Sequence, residues 1–276
     1  MPVATVRVYG PLNDFLPPAR RQRPLSVQSA GSRSVKDLIE SVGVPHPEID
    51  LVLVNGEPAP FDRAVHDGDR VAVFPRFFAI DVSGVTRVRP WPPAAVRFLL
   101  DGHLGKLARR LRLVGLDALC PAVADDDVLA AHAAEDERIL LTRDRELLKR
   151  GTVLHGYFVR ETRPSRQLVE VLQRFGPLRL EPFSRCLRCN GELRPVPKAA
   201  VEARLPPRTR ERYRDFVTCP GCGRVYWRGA HWNQLVRTVE AALEAAWPGG
   251  GAASEGKPPA VDGGGAQGER SSDLAP

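Results

Sequence analysis

The sequence contains no apolar run approaching the roughly 18 residues needed to span a bilayer. Its first residues lack the charged-then-apolar pattern of a secretory signal. A membrane partner is not expected, and the expected location is the cytoplasm. No segment recurs with the period of roughly 20–50 residues that marks solenoids and propellers. The Gly-rich run near the C-terminus has no phosphate-loop pattern. Cysteine is scarce, five in 276 residues, and four of the five stand in two CxxC pairs. That spacing points to metal rather than to a disulfide framework.

What is present is a globular composition, 43% hydrophobic and 26% charged, with room for two or three modest domains. The formal charge is +7 and the isoelectric point about 9.5, which favours a nucleic acid or another polyanion as partner.

Residues 1–79 read as one unit. Ala4–Tyr9 alternates like a strand, and Leu25–Ser29 reads as a weaker one. Ser34 and Asp37 form a capping-box pattern ahead of Leu38, Ile39 and Val42 at helical spacing; Gly43 and Pro45 end that helix. Asp50–Val54, an Asn55-Gly56 turn, an Asp67-Gly68-Asp69 turn and Arg70–Phe74 complete the unit. Strand, strand, helix, strand, strand in this length resembles the ubiquitin-like β-grasp fold. LVLVNGEPAP followed by DGDRVAVFP is similar to its small sulfur-carrier branch. Those carriers act through a C-terminal Gly-Gly, whereas here Pro75-Arg76-Phe77-Phe78 follows the last strand. A module that docks a protein partner is therefore expected, not a carrier.

Residues 80–95 hold three prolines and read as a linker. The central unit, 96–182, opens with the apolar strand Val96–Leu100. Leu104, Leu107, Ala108, Leu111 and Val114 then mark a helix with one apolar face, and Gly115 lies near its end. Asp117–Cys120 (strand), Val128–Ala134 (helix), Ile139–Thr142 (strand), Glu146–Lys149 (helical turn), Val153–Val159 (strand) and Arg166–Arg174 (helix) follow. This alternation predicts a parallel sheet covered on both faces. Residues 183–247 carry the CxxC pairs and end in a helix over Asn233–Ala246. Residues 248–276 lack apolar periodicity and are expected to be a disordered tail.

Ligands of open parallel sheets bind outside the carboxyl ends of the strands. Asp101 directly follows the first strand of the central unit, and Asp144 comes two residues after Thr142. Asp125, Asp126 and Asp127 lie in a loop entering a helix at the same rim. Converging carboxylates would repel unless a divalent cation bound them, and hard oxygen ligands suit Mg²⁺ or Mn²⁺. Such ions activate water and orient a phosphodiester, so phosphodiester hydrolysis is the implied reaction. Each of these acids also precedes a helix or helical turn, where Asp serves as an N-cap. For Asp125–Asp127 capping and ligation compete for the same residues.

The motifs FLLDGHLGKLARRLRLVGLDAL, ADDDVL and ILLTRDREL resemble those of the PIN-domain nucleases. With the CxxC pairs and VYWRGAHW, the closer likeness is to the mut-seven C-terminal RNase family, over roughly residues 1–240. The resemblance implies an α/β, PIN-like three-layer parallel sheet domain with a C-terminal zinc ribbon, preceded by an α+β β-grasp domain. It implies Asp101, Asp126 and Asp144 as metal-binding catalytic acids, with Asp127 beside them. A further helix-borne Glu, present in many PIN nucleases, has no clear counterpart in the sequence.

Lys106, Arg109 and Arg110, from the polar side of the helix after Asp101, and Arg143 beside Asp144 are candidate phosphate contacts. A solvated helix face is the ordinary use of such cations. Cys186, Cys189, Cys219 and Cys222 fit a tetrahedral structural zinc site, although the 29 residues between the pairs exceed the usual spacing. That insert includes a helix-prone stretch, Ala199–Tyr213. Residues 185–215 hold nine Lys or Arg against four Asp or Glu, a charge suited to RNA. Tyr226, Trp227, His231 and Trp232 are candidates for stacking on bases or for packing the ribbon against the central unit. Cys120 stands alone as a buried apolar residue.

The expectation is a metal-dependent ribonuclease with a structural zinc and catalytic Mg²⁺ or Mn²⁺. Its rival is a non-catalytic RNA- or protein-binding adaptor on a PIN-like scaffold. An aspartate phosphatase or receiver domain fits less well, because an Asp-x-Asp is wanted where Asp101-Gly102-His103 stands.

Overall fold

A computed structural model of the chain describes residues 3–28, 33–77, 81–88, 96–122 and 124–249. The expected tail, apart from Pro248 and Gly249, and residues 80 and 89–95 of the expected linker lie outside the described residues.

The N-terminal unit runs β1 (Val3–Val8), β2 (Leu25–Gln28), α1 (Val35–Ser41), β3 (Ile49–Val54), the short β4 (Glu57–Pro58) and β5 (Arg70–Pro75). The strand order is β2-β1-β5-β3-β4, with β1 and β5 parallel and the other pairs antiparallel. This is the β-grasp arrangement. Alternation in β1 sends Ala4, Val6 and Val8 inward against Leu38 and Ile39 of α1. Both bonds of the Ser34–Asp37 capping box form. Asn55 and Gly56 both have positive φ, as a tight hairpin turn of this kind requires. Residues 81–88 fold back on this unit, with Thr86 Oγ1 donating to the Asp50 carbonyl at 2.5 Å and Val88 against the core.

The central unit alternates β6 (Phe98–Leu100), α2 (Gly105–Leu113), β7 (Ala118–Leu119), α3 (Asp126–Glu135), β8 (Ile139–Thr142), α4 (Arg145–Lys149), β9 (Gly156–Phe158) and α5 (Pro164–Phe175). Its strands are parallel, in the order β7-β6-β8-β9. The near-continuous apolar runs of β6 and β8 are explained by burial on both faces. Phe98, Leu100, Ile139 and Leu141 point to one core, with α2 and α5. Leu99 and Leu140 point to the other, with Leu129 of α3 and Leu147 and Leu148 of α4. Three layers result. Leu104, Leu107, Ala108, Leu111 and Val114 are all buried, as their spacing predicts. Gly115 is fixed twice over: its φ is +89°, and a Cβ there would meet the Glu181 carbonyl oxygen at 2.1 Å.

The third unit is a ribbon of β10 (Arg194–Val196), α6 (Lys198–Val201), α7 (Pro207–Arg212), β11 (Phe216–Thr218) and β12 (Val225–Trp227), closed by α8 (Trp232–Ala246). The helix-prone stretch 199–213 is not one helix. Pro206 and Pro207 break it, because the residue before a proline is pushed out of helical geometry. Helix α8 returns to the central unit: Val239, Ala242 and Ala246 join the core beneath α5. A Cβ on Gly176 would strike the Trp247 ring at 2.5 Å.

The N-terminal and central units meet in a charge-paired seam. Glu48, only 3% exposed, accepts from the Phe158 amide at 2.5 Å and pairs with Arg160 at 3.2 Å. His46 Nε2 donates to the Val153 carbonyl at 2.8 Å. Arg145 donates to the Phe15 carbonyl at 3.1 Å and lies over the Phe15 and Phe158 rings. Because Arg145 follows Asp144, this seam reaches the acidic rim.

Candidate active site and metal centre

The parallel pairing of β6 with β8 places Asp101 and Thr142 side by side at the carboxyl end of the sheet. Asp101 is 6% exposed and both its oxygens are engaged. Oδ1 accepts from the His103 amide at 2.8 Å, and Oδ2 accepts a short bond from the Thr142 hydroxyl. The same hydroxyl oxygen accepts from the Asp144 amide at 2.9 Å. One fully buried threonine therefore sets the spacing of the two acids that flank it. Asp144 is exposed, and its Oδ1 caps α4, accepting from Glu146 and Leu147 amides at 2.8 and 3.3 Å. Capping thus occupies one oxygen of Asp144.

The acidic loop before α3 behaves differently. Asp125 holds the N-cap position, but its side chain makes no capping bond. Asp126 and Asp127 both pair with Arg150 at the end of α4, Asp126 at 3.7 Å and Asp127 more closely. Arg150 holds this loop against α4, a contact between residues too far apart in sequence for local pattern to show. Among the described residues the four cysteines alone bring three or more Asp, Glu, His or Cys ligand atoms within 4.8 Å of one another. The acids are therefore lined up along the rim but not drawn into a closed cage.

The candidate phosphate contacts divide. Lys106 and Arg109 are exposed on a groove that begins beside Asp101. Arg110 faces the other side, between α5 and α8. Arg143 donates to the backbone carbonyls of Val159, Arg160 and Glu161 at 2.8, 2.8 and 2.6 Å, so it braces the loop after β9.

The two CxxC knuckles fold alike. In each, the first cysteine amide donates to a carbonyl downstream and closes the loop: Cys186 N to Gly191 O at 2.8 Å and Cys219 N to Arg224 O at 2.9 Å. Asn190 and Gly223, four residues after the first cysteine of each pair, both adopt left-handed φ of +72° and +70°. The sulfurs of Cys186 and Cys222 lie 3.6 Å apart and those of Cys189 and Cys219 3.3 Å apart. Tetrahedral zinc with bonds of about 2.3 Å requires sulfurs roughly 3.8 Å apart, so the donor set fits that ion with little movement. Burial pushes the Cys186 thiol up, but bonds from the Tyr226 hydroxyl and the Cys189 and Arg188 amides outweigh it and bring it down to about 6. Burial and its sulfur neighbours push Cys189 up to about 12. Such crowded thiols ionise together only around a cation.

The ribbon is tied to the central unit by residues that sequence reasoning did not single out. Arg112, buried in α2, donates to the carbonyls of Ala118, Leu187 and Arg188 at 2.7, 3.0 and 2.9 Å. Asn190 donates to Asp117 at 2.8 Å and accepts from the Ala118 amide at 2.9 Å. Asp117 also takes Arg138 at 2.6 Å. Burial raises the Asp117 carboxyl, but Arg138 and Asn190 outweigh it and hold it below the usual range. The aromatic candidates are largely packing groups. Trp232 lies 4.2 Å from Phe183, Trp227 lies 6.4 Å from Phe216, and the Tyr226 hydroxyl contacts Cys186 Sγ at 3.1 Å; His231 is exposed at the start of α8.

Comparison with known families matches residues 96–239 to the Mut7-C RNAse domain model. The chain belongs to the Mut7-C RNAse domain family. Residues 1–81 match the Mut7-C ubiquitin model. The match spans the acidic rim and both knuckles, and places the chain among RNA-related, nuclease-type proteins. Comparison with curated proteins gives no match. Two solved structures of the Haloferax volcanii small archaeal modifier protein 1 are similar, at 22% and 20% identity. They cover 28% and 27% of this chain and 100% and 96% of their own, each with a TM-score of 0.23. Among the described residues no helix is long and apolar enough to cross a membrane.

Proposed function

We propose that the chain is a metal-dependent ribonuclease that hydrolyses RNA phosphodiester bonds at the rim holding Asp101, Asp126, Asp127 and Asp144. The observation that carries this reading is the Thr142 hydroxyl, which links Asp101 to the backbone of Asp144. This fully buried hydroxyl bonds both the Asp101 carboxylate and the Asp144 backbone, and so fixes two acids in register at adjacent strand ends. The donors are hard carboxylate oxygens, so the residues suit Mg²⁺ or Mn²⁺. Bound there, such an ion supplies water activation and neutralises developing charge on the phosphate. The chain's own residues supply the rest. The His103 amide and Thr142 hydroxyl fix both Asp101 oxygens, so that carboxylate needs no reorganisation when loaded. Asp144 keeps an oxygen outside its cap, and Asp126 and Asp127 complete the negative rim from the facing loop.

Zinc held by Cys186, Cys189, Cys219 and Cys222 is structural in this reading, because four thiolates leave it no open position. The N-terminal unit braces Asp144 through Arg145, and its remaining surface is where a protein partner would dock. Asp101→Asn and Asp144→Asn are each expected to abolish Mn²⁺-dependent cleavage of RNA while zinc content and fold persist. RNA binding by the wild-type protein without cleavage under Mg²⁺ or Mn²⁺ would instead establish the adaptor reading.

A further inference from the structure

A groove of about 1000 Å³ runs from Gly102 and His103, beside Asp101, along the first turns of α2 and α5, to the two zinc knuckles. Its cations come from three separate places. Lys106 and Arg109 project from α2, Arg188 from between the first cysteine pair, and Arg224 from just after the second. The groove contains no Asp or Glu among the residues that line it. Lys106, Arg109 and Arg188 are exposed and form no ion pair or side-chain hydrogen bond among the described residues. Most surface cations of a folded domain sit among acids of opposite sign; a cleft with cations on both walls and no acid instead concentrates polyanions. The wall geometry is fixed from behind. Arg112 ties the Leu187 and Arg188 carbonyls to α2, and the knuckle closures hold Arg188 and Arg224 at set positions around the sulfur cluster. The backbone is open to approach as well, since a Cβ at Gly105 would meet nothing within 4 Å.

We infer that this groove is a track for the phosphate backbone of single-stranded RNA, with Arg188 and Arg224 of the zinc knuckles forming one wall and Lys106 and Arg109 the other. The inference rests on the ribonuclease reading for its direction, since the track leads to Asp101. It gives the zinc a second consequence: the ion positions two arginines that grip substrate. Tyr226, which lines the groove with its hydroxyl against Cys186, offers a ring beside the strand.

The test is binding of a fluorescein-labelled oligouridylate of about twelve nucleotides to the zinc-loaded full chain, by anisotropy, without Mg²⁺ or Mn²⁺. The Arg188→Ala/Arg224→Ala double variant is expected to bind about tenfold more weakly at low salt. Its log–log salt slope should fall by about 1.4, for two phosphate contacts at roughly 0.7 each. Arg188→Lys/Arg224→Lys, which keeps the charges, is expected to recover most of the affinity. Arg166→Ala/Arg237→Ala, on the face between α5 and α8, serves as a charge-matched control. Zinc content and circular dichroism identify any variant that fails to fold, in which case Arg109→Ala, on the other wall, is expected to lower the slope by about 0.7, for one contact. Unchanged slope in the Arg188→Ala/Arg224→Ala variant, equal weakening by Arg166→Ala/Arg237→Ala, or preference for duplex over single strand overturns the track. Cleavage is scored separately. A wild-type protein that cleaves while the double variant binds normally loses the track and keeps the ribonuclease. A wild-type protein that never cleaves but binds through these arginines loses the ribonuclease and keeps the track.

Discussion

The sulfur cluster and the acidic rim are two candidate ligand sets of opposite design within one chain. The four cysteines converge within 4.8 Å, on knuckles closed by their own backbone bonds. The carboxylates are spread along a strand rim, where Thr142 links the Asp101 carboxylate to the Asp144 backbone and Arg150 holds Asp126 and Asp127. A filled tetrahedral cage leaves no position for substrate, whereas an open row of oxygen donors leaves room for both water and phosphate. In the proposed reading, closure marks the structural ion and openness marks the reactive one.

That contrast is broken most severely by removing a sulfur. Cys219→Ser is expected to lose zinc and unfold the ribbon, because metal-binding energy is folding energy in such modules. Metal analysis should give less than one zinc per chain, and thermal melting should show an early transition. Full zinc occupancy in this variant would show that the cluster is not the zinc site. Next in size is Thr142→Val, which deletes the hydroxyl between the two acids. Cleavage is expected to fall about 10- to 100-fold, in the range found when a partner that orients a metal ligand is lost, with zinc content unchanged.

The joint between the two regions gives a smaller effect. Asp117→Ala removes the acceptor for Arg138 and Asn190 and is expected to cost about 1.5–3 kcal/mol in urea unfolding at pH 7. The Asp117 carboxyl is held below its unfolded value. Its contribution is therefore fully present above the ordinary Asp range near pH 4 and is lost as pH falls through the lower folded value. The gap between variant and wild type should narrow only in that acid window; a gap that instead narrowed above neutrality would contradict the assignment. Arg150→Ala is the mildest case. Its partners are partly or largely exposed, so the stability cost should stay under about 1 kcal/mol, while the Mn²⁺ concentration needed for cleavage shifts.

Much of the fold was legible because local rules agreed with the tertiary outcome. Ser34 and Asp37 cap α1 as their spacing predicts, Asn55-Gly56 turns the hairpin, and Leu104 through Val114 bury one face of α2. Cys186, Cys189, Cys219 and Cys222 meet as their spacing predicts. Pro206-Pro207 was an available signal that residues 199–213 would not form one helix, and helical composition around it masked that signal. The position of Asp101 and Asp144 at neighbouring strand ends was legible, but the partners of the acids were not. Arg150 reaches Asp126 and Asp127 only because α3 and α4 pack together, and Glu48 meets Arg160 only because two units share a seam. Arg143 looked like a phosphate contact because it adjoins Asp144, yet the β9 loop offers it three carbonyls. Sequence shows which side chains are charged; the fold decides which charges already have partners.

The division into closed and open metal sites is tested most directly by following both metals during cleavage. The zinc-loaded protein is dialysed free of Mg²⁺ and Mn²⁺, assayed on RNA, then titrated with Mn²⁺ while bound zinc is counted. The account predicts no cleavage before Mn²⁺, full recovery on titration, and one zinc per chain throughout. Cleavage that tracks zinc, or that proceeds with no added divalent cation, would contradict it.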